Sequence, residues 1–220
     1  MCGRYSLVCD AGHLQAYYDL ANTGVFAGPR FNIAPTQQVP AIVAVNGERH
    51  LELFHWGLIP SWADDSKLGY STINARAETV GEKPAFRAAF RHRRCLIPAD
   101  GFYEWQGEKG HKHPWRIEPD NRDEFFSFAG LWAAWESGAD VIRSCTIIAG
   151  PANLLVQPIS DRMPVMVPRE AWALWLDPDT GMEALQPLLK PPPAEGMRAY
   201  RVGEHVNNPN HDDPACLFPA

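Results

Sequence analysis

The chain has 220 residues, of which 45% are hydrophobic and 21% are charged, and its formal net charge is −6. A chain of this length and composition can bury one sizeable core, which excludes a disordered or fibrous protein. The acidic balance argues against general nucleic-acid binding through net charge, although it leaves room for a local basic groove.

The cysteines and the apolar segments indicate the compartment. The five cysteines are widely spaced and form no Cys-x-x-Cys pair, which argues against a disulfide framework and against a zinc site. No uncharged apolar run reaches membrane-spanning length, and the N-terminus lacks the build of a signal peptide. We therefore expect a cytoplasmic protein that uses no metal and no cofactor.

The predicted elements, in chain order, are many short strands with a few helices between them. Strands are predicted at Gly3–Cys9, Gln38–Val45, His50–Trp56, Cys95–Pro98, Gly101–Trp105, Pro114–Ile117, Glu124–Phe128, Arg143–Ala149, Pro164–Val167 and Arg198–Val202. Helices are predicted at Gly12–Leu20, Ile73–Glu78, Pro84–Arg93, Pro168–Leu176 and Met182–Leu189. Asn46-Gly47 is a strong hairpin signal between two of the strands.

This order of elements predicts the fold class. Short strands with interspersed helices indicate a single α+β domain over residues 1–220, with a curved, barrel-like, mainly antiparallel sheet and a few short helices. From about residue 203 the chain becomes a Pro- and Asn-rich tail.

The first residues, Met1-Cys2-Gly3-Arg4-Tyr5, carry the most distinctive chemistry. Removal of Met1 would leave Cys2 with an α-amine and a thiol on adjacent carbons. Unperturbed, these groups titrate at about 7.7–8.0 and about 8.5, so both have a reactive fraction near neutrality. Such an aminothiol can condense with an aldehyde and close a thiazolidine ring, or the thiol can act as a nucleophile with the amine as its base. The alternative is an ordinary residue at a frayed end.

Glu104 lies in the predicted strand Gly101–Trp105, where alternation puts it on the same face as Phe102. A carboxylate between aromatic residues is either solvated at a sheet edge or held in a pocket that raises its pKa. The second state is the one that a general acid–base group needs. This stretch alone leaves both alternatives open.

Several polar groups could serve binding or structure equally well. Asn74 could cap the predicted helix, or its amide could orient a reacting oxygen. Arg162 could pair with Asp161 or reach a phosphate. His111 and His113 alternate on a predicted hairpin tip, where a surface role is favoured over metal binding.

Arginines and tryptophans offer two further nucleic-acid signals, each with a structural alternative. Arg87, Arg91 and Arg94 fall on one stripe of a predicted helix, which is typical of a solvated face. Trp56 and Trp62 lie in or beside predicted loops, where an aromatic ring can stack on a base. Core packing is the alternative for both tryptophans.

Seven ordered blocks extend over nearly the whole chain and share one resemblance. They are Met1–Tyr5, Arg30–Thr36, Trp56–Pro60, Ile73–Glu78, Arg94–Trp105, Asp161–Pro164 and Val206–Pro209. Together they resemble the SOS-response-associated peptidase (SRAP) family, also described as abasic-site processing proteins. The resemblance implies the SRAP fold, no cofactor and a monomer that associates with the nucleoid when bound to DNA.

The resemblance implies a function in DNA repair. It implies binding to abasic sites in single-stranded DNA and a thiazolidine crosslink, which shields the site, through an N-terminal Cys2. Asn74 would orient the opened sugar and Glu104 would shuttle protons. The word peptidase implies self-removal of residues before the cysteine, and a lyase activity is a further implication.

The resemblance also assigns the DNA contacts. Arg4, Arg76 and Arg162 match positions that hold DNA phosphates in the family, and Trp56 and Trp62 are the aromatic candidates.

The chain departs from the family at Ser160, which stands where the family has a histidine before Asp-Arg-Met-Pro. That histidine is credited with helping to open the sugar and to reverse the crosslink. Crosslink formation through Cys2 and Glu104 should survive this change, whereas fast reversal is in doubt.

Two rival classes make different predictions. An N-terminal-nucleophile amidohydrolase, such as a class II glutamine amidotransferase, also matures to a terminal Cys-Gly, although the blocks around Glu104 and Arg162 do not belong to that pattern. A single-strand DNA-binding module with no covalent step is the non-enzymatic rival. A denaturing gel separates the crosslinking protein from both rivals, because only a covalent adduct survives it, and a glutaminase assay tests the amidohydrolase directly.

Overall fold

The computed structural model describes residues 2–108, 110–137 and 140–220. Within these ranges the strands are β1 (Tyr5–Leu7), β2 (Leu20–Asn22), β3 (Arg30–Ile33), β4 (Gln38–Val45), β5 (Glu48–Trp56), β6 (Asn74–Arg76), β7 (Arg94–Ala99), β8 (Gly101–Gln106), β9 (His113–Pro119), β10 (Phe126–Ser137), β11 (Asp140–Pro151), β12 (Arg162–Pro164) and β13 (Met197–Arg201). The α-helices are α1 (Ala11–Tyr18), α2 (Arg87–His92), α3 (Trp172–Leu176) and α4 (Met182–Leu185). Short 3₁₀ helices lie at Ser66–Ser71, Arg169–Ala171, Gln186–Leu189, Glu204–Asn207 and Pro214–Leu217.

A closed barrel of five strands forms the centre of the fold. Antiparallel pairing joins β11, β10, β7, β4 and β5 in that order. The barrel closes where β5 runs parallel to β11, with His55 opposite Ser144 and Trp56 opposite Cys145. The sequence prediction of a curved, barrel-like, mainly antiparallel sheet in an α+β domain is therefore confirmed.

The β4–β5 hairpin follows the local sequence signal. Asn46 and Gly47 have φ angles of 52° and 84°. Two consecutive positive φ values belong to the tight turn that Asn-Gly favours, because its twist matches that of the strands it joins.

A second antiparallel sheet, in the order β13-β9-β8-β1-β3, carries the N-terminus. Tyr5 in β1 pairs with Ile33 on one side and Phe102 on the other. Its ring meets Trp56 edge-on at 5.4 Å and Phe128 at 5.9 Å between centroids, and all three rings are fully buried. The beginning of the chain is thus packed into the main core.

The segment Ile73–Glu78 is not a helix, contrary to the sequence prediction. Asn74–Arg76 forms β6, which runs parallel to β11 with Asn74 opposite Ile147 and Arg76 opposite Ala149. The edge of β11 beyond β5 offers unpaired backbone groups, and pairing with them outweighs the local helical preference. Asn74 is therefore not a helix cap.

The predicted arginine stripe is also wrong at Arg94. Helix α2 ends at His92, and Arg94 lies in β7 with 3% of its surface exposed. Its guanidinium donates to the carbonyl oxygens of Phe90 and Trp175 at 2.7 Å. Arg94 therefore donates to carbonyl groups at the ends of two helices. The last carbonyl groups of a helix lack partners within the helix and need such donors.

The other predicted elements lie close to observed ones, with shifted bounds. The helix predicted over Pro168–Leu176 is a 3₁₀ turn followed by α3, and Met182–Leu189 is α4 followed by a 3₁₀ turn. In place of the strand predicted at Pro164–Val167, the structure has β12 and an isolated bridge between Met166 and Phe128. Lys109, in the predicted hairpin tip, lies outside the described residues.

The C-terminal segment, residues 203–220, folds back onto the second sheet. Its two 3₁₀ helices are followed by a bridge between Val202 and Pro219. Val206 and Cys216 are buried against Tyr103. In the described parts of the chain, no helix has the length and apolar character needed to cross a membrane.

Candidate active site around Cys2

Cys2 is fully buried in the main core. Its Sγ atom lies 3.9 Å from the carbonyl oxygen of Arg4, the residue before β1 begins. Burial raises the pKa of the Cys2 thiol well above its usual range, and the neighbouring Glu104 carboxylate raises it further. The thiol is therefore protonated at neutral pH, and forming the thiolate requires a group that accepts its proton.

Glu104 lies in β8 with 5% of its surface exposed. Burial raises the pKa of Glu104, the negative charge of Asp161 adds to this rise, and a hydrogen bond with the Ser160 side chain partly offsets it. Of the two alternatives left open by the sequence, the structure therefore has the buried carboxyl with a raised pKa. Such a group can give and take a proton closer to neutrality than an exposed glutamate.

Ser160 joins this pair from the turn before β12. Its backbone N–H donates to the Val156 carbonyl at 2.9 Å, and its hydroxyl lies 3.0 Å from the Arg162 carbonyl oxygen. These bonds hold the hydroxyl beside Glu104. The structure thus brings Cys2, Glu104 and Ser160 together, although they are far apart in the sequence.

Asn74 lies on β6, opposite Ile147 of β11. Its Nδ2 atom donates weakly to the Ile147 carbonyl at 3.4 Å. Its Oδ1 atom is buried and has no hydrogen-bond partner among the described residues. A buried amide oxygen without a partner is a ready acceptor for a donor on a ligand.

Arg76 and Arg162 lie on two strands that flank the same end of β11. Arg76 is exposed and sits opposite Ala149, whose carbonyl oxygen accepts from Arg162 Nη2 at 2.6 Å. The partner of Arg162 is Glu78 rather than the adjacent Asp161 predicted as an alternative, with Nη2 2.8 Å from Oε2 and Nη1 bonded to Oε1. The hydrogen bonds from Arg162 lower the pKa of Glu78 to about 2.

Arg4 is half-buried and held by the C-terminal segment. Its Nη1 atom donates to Asn32 Oδ1 and to the Val206 carbonyl, both at 2.8 Å. Its guanidinium also lies over the Trp105 ring, 5.6 Å from the centroid, and Trp105 Nε1 donates to Asn207 Oδ1 at 2.8 Å. Arg4 therefore connects the N-terminal block with the C-terminal one.

The sequence interpretation gave no role to Asn32 or Glu78, which the structure brings into contact with the arginines. Asn32 is fully buried and donates to the carbonyl groups of Val206, Asn208 and His211. Both residues belong to the seven blocks, which was the available signal. Their partners are too distant in the sequence to be inferred.

The two tryptophans expected to stack on bases have different environments. Trp56 is fully buried, its Nε1 donates to the Ile73 carbonyl at 2.9 Å, and its ring packs on Tyr5. It therefore has no face accessible to a base, and the core-packing alternative holds. Trp62 is 59% exposed in a turn and remains accessible.

A group of three side chains of metal-ligating types lies outside these residues. His205, Asp213 and Cys216 place one ligand atom each within 4.8 Å of the others. They lie in the C-terminal segment that holds Arg4. His111 and His113, the histidines considered from the sequence, are exposed.

The fold and the site define a barrel protein with a buried cysteine thiol, at position 2, beside a buried carboxyl group. The family model described as SOS response associated peptidase (SRAP) matches residues 1–209, and the chain belongs to this family.

Relatives from bacteria and vertebrates match most of the chain. Abasic site processing protein YoqW of Bacillus subtilis (strain 168) is 40% identical over 223 residues, covering 99% of this chain and 99% of the relative. Abasic site processing protein HMCES of Xenopus tropicalis is 33% identical over 221 residues, covering 86% of this chain and 65% of the relative.

Two crystal structures share the fold. A protein from Bacteroides thetaiotaomicron superimposes with a TM-score of 0.88 at 26% identity, covering 100% of both chains. A protein from Bordetella bronchiseptica superimposes with a TM-score of 0.76 at 26% identity, covering 92% of this chain and 100% of that one.

Proposed function

We propose that this protein binds abasic sites in single-stranded DNA and crosslinks itself to them through Cys2, as a thiazolidine, after removal of Met1. Membership of the SRAP family and the names of the relatives support abasic sites as the substrate. The observation that carries the covalent step is the buried Cys2 thiol within electrostatic reach of Glu104. Met1 itself lies outside the described residues.

The chemistry needs an aldehyde, which the opened sugar of an abasic site supplies. The Cys2 amine adds to this aldehyde and one water leaves, giving an imine. The thiol then adds across the carbon–nitrogen double bond. Sulfur bonds to the former aldehyde carbon, the thiol proton ends on nitrogen, and the ring closes without loss of a further atom.

Glu104 is proposed to move the protons in these steps. As an acid it helps the water leave, and as a base it takes the thiol proton that sulfur must release before attack. Both roles suit a carboxyl group whose pKa is raised by burial. The raised pKa of the Cys2 thiol makes such a base necessary, because little thiolate forms unaided at neutral pH.

Binding is proposed to involve Asn74, the arginines and Trp62. The buried Oδ1 atom of Asn74 could accept a hydrogen bond from a sugar hydroxyl. Arg76 is exposed and suited to a phosphate, whereas Arg162 would have to share its guanidinium with Glu78. Arg4 is held by Asn32 and Val206, so it is suited to fixing the chain next to Cys2 as well as to contacting DNA.

An autopeptidase activity is proposed for the same cysteine. The family description is that of a peptidase. The Cys2 thiol would add to the carbonyl carbon of the peptide bond that precedes it, and that carbon–nitrogen bond would break to release the Cys2 amine and leave a thioester. One water would then hydrolyse the thioester, which frees the extension as a carboxylic acid and restores the thiol. A chain made with a short extension before Cys2 tests this by intact mass. Loss of the extension in the wild type but not in Cys2→Ala is expected, and equal loss in both would assign the cleavage to another protease.

The main test uses an oligonucleotide with one abasic site and the mature protein, whose lack of Met1 is verified by mass. A denaturing gel should show an adduct that needs no reductant. Cys2→Ala should abolish it, although an imine from the amine could still be trapped with borohydride. Cys9→Ser is the matched control, because Cys9 is also near the N-terminus but only partly buried.

Each outcome separates the rival classes. An unreduced adduct of normal yield with Cys2→Ala, or no adduct with the mature wild type, would refute the proposal. Binding without an adduct would favour a non-covalent single-strand binding module. Glutaminase activity that is lost with Cys2→Ala would favour the amidohydrolase.

A further inference from the structure

The C-terminal segment places three different metal-ligand types at one point. His205 Nε2 lies 2.9 Å from Asp213 Oδ2, and Cys216 Sγ completes a group whose ligand atoms are all within 4.8 Å of one another. A tetrahedral zinc site has ligand distances of about 2.0–2.3 Å, which puts its ligand atoms roughly 3.3–3.8 Å apart. Movements of about 1 Å would therefore bring the three atoms to zinc-binding positions.

Neighbouring groups orient two of the three side chains. Asp213 Oδ1 accepts from the Ala215 backbone N–H at 2.9 Å, which leaves Oδ2 turned toward His205. The His211 ring stacks on His205 with centroids 3.9 Å apart, and its Nδ1 lies 2.9 Å from the His205 carbonyl oxygen. Metal sites depend on such supporting contacts, because they fix ligand orientation.

We propose that His205, Asp213 and Cys216 bind one Zn²⁺ ion, with water as the fourth ligand, and that the ion fixes the C-terminal segment that holds Arg4. A nitrogen, carboxylate and thiolate set suits zinc. The His205 and Asp213 side chains are 36% and 49% exposed, so the ion can enter from solvent and keep a water. Asp213 and the thiolate of Cys216 balance its charge.

The site would act on the segment that holds Arg4. Val206 accepts from Arg4, Asn207 accepts from Trp105, and the carbonyl of His211 accepts from Asn32. All three lie between His205 and Asp213 in the sequence. An ion that ties His205 to Asp213 and Cys216 therefore closes the loop that carries these contacts.

Cobalt is the probe for the test, because Co²⁺ replaces Zn²⁺ and reports its ligands by absorption. The full chain, without a polyhistidine tag, carries Cys2→Ser so that the terminal aminothiol cannot bind the metal. We expect one equivalent of Co²⁺ to bind with a near-ultraviolet thiolate charge-transfer band and strong visible bands of tetrahedral cobalt. One equivalent of Zn²⁺ should remove the charge-transfer band and the visible bands.

Three variants locate the site. In the same Cys2→Ser background, Cys216→Ser should abolish the charge-transfer band, and Asp213→Asn should weaken Co²⁺ binding at least tenfold. Asp213→Asn keeps the shape of the helix cap at a half-exposed position, so it stays informative if Cys216→Ser fails to fold. Cys9→Ser should leave the spectrum unchanged.

Thermal unfolding gives an independent readout. Because an ion that binds only the folded state stabilises it, Zn²⁺ should raise the Tm of the Cys2→Ser chain, and at the same zinc concentration it should raise that of Asp213→Asn in this background less. The proposal is overturned if the Cys2→Ser chain binds no cobalt, or if the charge-transfer band persists in Cys216→Ser. It is also overturned if Zn²⁺ stabilises Asp213→Asn equally.

Discussion

Arg162 and Glu78 form a two-pronged ion pair across the end of β11, with Nη1 on Oε1 and Nη2 on Oε2. The pair occupies both terminal nitrogens of a guanidinium that is a candidate phosphate ligand. Glu78 thus fixes the direction of Arg162 and, under the proposed function, would compete with a DNA phosphate for it. The balance between these two effects can be measured.

Removing the charge of Glu78 should strengthen DNA binding. In Glu78→Gln the guanidinium of Arg162 is released for a phosphate, and one carboxylate no longer repels the strand. We expect several-fold tighter binding to an abasic strand at low salt, with the dependence of log K on log salt steeper by about 0.7. Fluorescence anisotropy over a salt series measures both quantities.

Glu82→Gln is the matched control for this prediction, because Glu82 is exposed and close in sequence to Glu78. It removes the same charge without releasing Arg162. Equal effects of the two variants would mean that only net charge matters. Weaker binding by Glu78→Gln would assign Glu78 to positioning Arg162.

Replacing Glu104 by glutamine should slow the crosslink without harming the fold. An amide cannot exchange protons, so single-turnover formation should fall about 10²–10⁴-fold. In the wild type the rate should rise with pH through a pKa above the usual glutamate value, because burial raises the pKa of Glu104. Glu104→Gln should lack this rise, as quenched time courses across pH would reveal.

Stability distinguishes a chemical role of Glu104 from a structural one. A carboxyl group with a raised pKa destabilises the folded state above that pKa, where it must ionise while buried. Glu104→Gln should therefore match or exceed the wild-type Tm at neutral pH. Glu108→Gln, on the exposed residue beyond β8, should change neither rate nor Tm. A wild-type rate in Glu104→Gln would remove Glu104 from the chemistry.

Ser160 should make the crosslink long-lived. Opening a thiazolidine needs a proton at the ring, which an imidazole can deliver near pH 7 and an unactivated hydroxyl cannot. We expect Ser160→His to speed the transfer of bound protein onto a fresh abasic strand. A chase with a longer labelled strand, read on a denaturing gel, gives the adduct lifetime.

Two companion variants sharpen the comparison. Ser160→Ala should exchange as slowly as the wild type, since it adds no acid. His205→Ala tests whether another histidine has taken over the role. Rapid exchange by the wild type that persists in His205→Ala would contradict this interpretation of Ser160.

Arg116 should be the most sensitive charged residue of the second sheet. It is buried and donates to Glu118 at 2.7 Å, Asp100 at 2.9 Å and Ser6 at 2.6 Å. Arg116→Met would leave these carboxylates without their main partner, at a cost of about 3–5 kcal/mol. Urea unfolding measures this loss of unfolding free energy. The control Arg122→Met replaces an exposed residue and should stay within about 0.5 kcal/mol of the wild type.

The stability lost in Arg116→Met should depend on pH in a defined direction. Burial opposes ionisation of Glu118, but hydrogen bonds from Arg116 and Arg198 outweigh it and lower the pKa of Glu118. Stability from a lowered carboxyl pKa is present above the unfolded value, about 4.3, and disappears as pH falls through the folded value. The gap between wild type and Arg116→Met should therefore narrow below about pH 4.3. A gap that widened in acid would contradict the assignment.

Local signals predicted the parts of the fold that are local. The β4–β5 hairpin followed from Asn46-Gly47, because turn geometry depends on those two residues. The helix predicted at Ile73–Glu78 was wrong because pairing with β11 outweighs the local helical preference. No local sequence pattern shows that the edge of β11 is available for pairing. The prediction that Arg94 lies on a solvated helical stripe was wrong because its guanidinium bonds carbonyl groups of two separate helices.

The candidate site shows the same division between local and distant information. Glu104 could be singled out from its aromatic neighbours, but only the fold chose between an exposed and a buried carboxyl group. Trp56 looked accessible because it lies at a strand end, whereas barrel closure buries it. The contacts of Arg162 with Glu78, and the approach of Cys216 to His205, depend on chain reversals that no sequence spacing encodes.

The parallel contact between β5 and β11 has a consequence for how the protein is made. Each antiparallel hairpin of the barrel can form as soon as its own two strands exist. The pairing of Trp56 with Cys145 must wait until much more of the chain has left the ribosome. Such long-range parallel pairing is slow, because the entropy cost of closing the long loop between the two strands comes before their contacts stabilise it. β6 pairs with β11 beside this contact, so Asn74 can reach its final position only after β11 has been made.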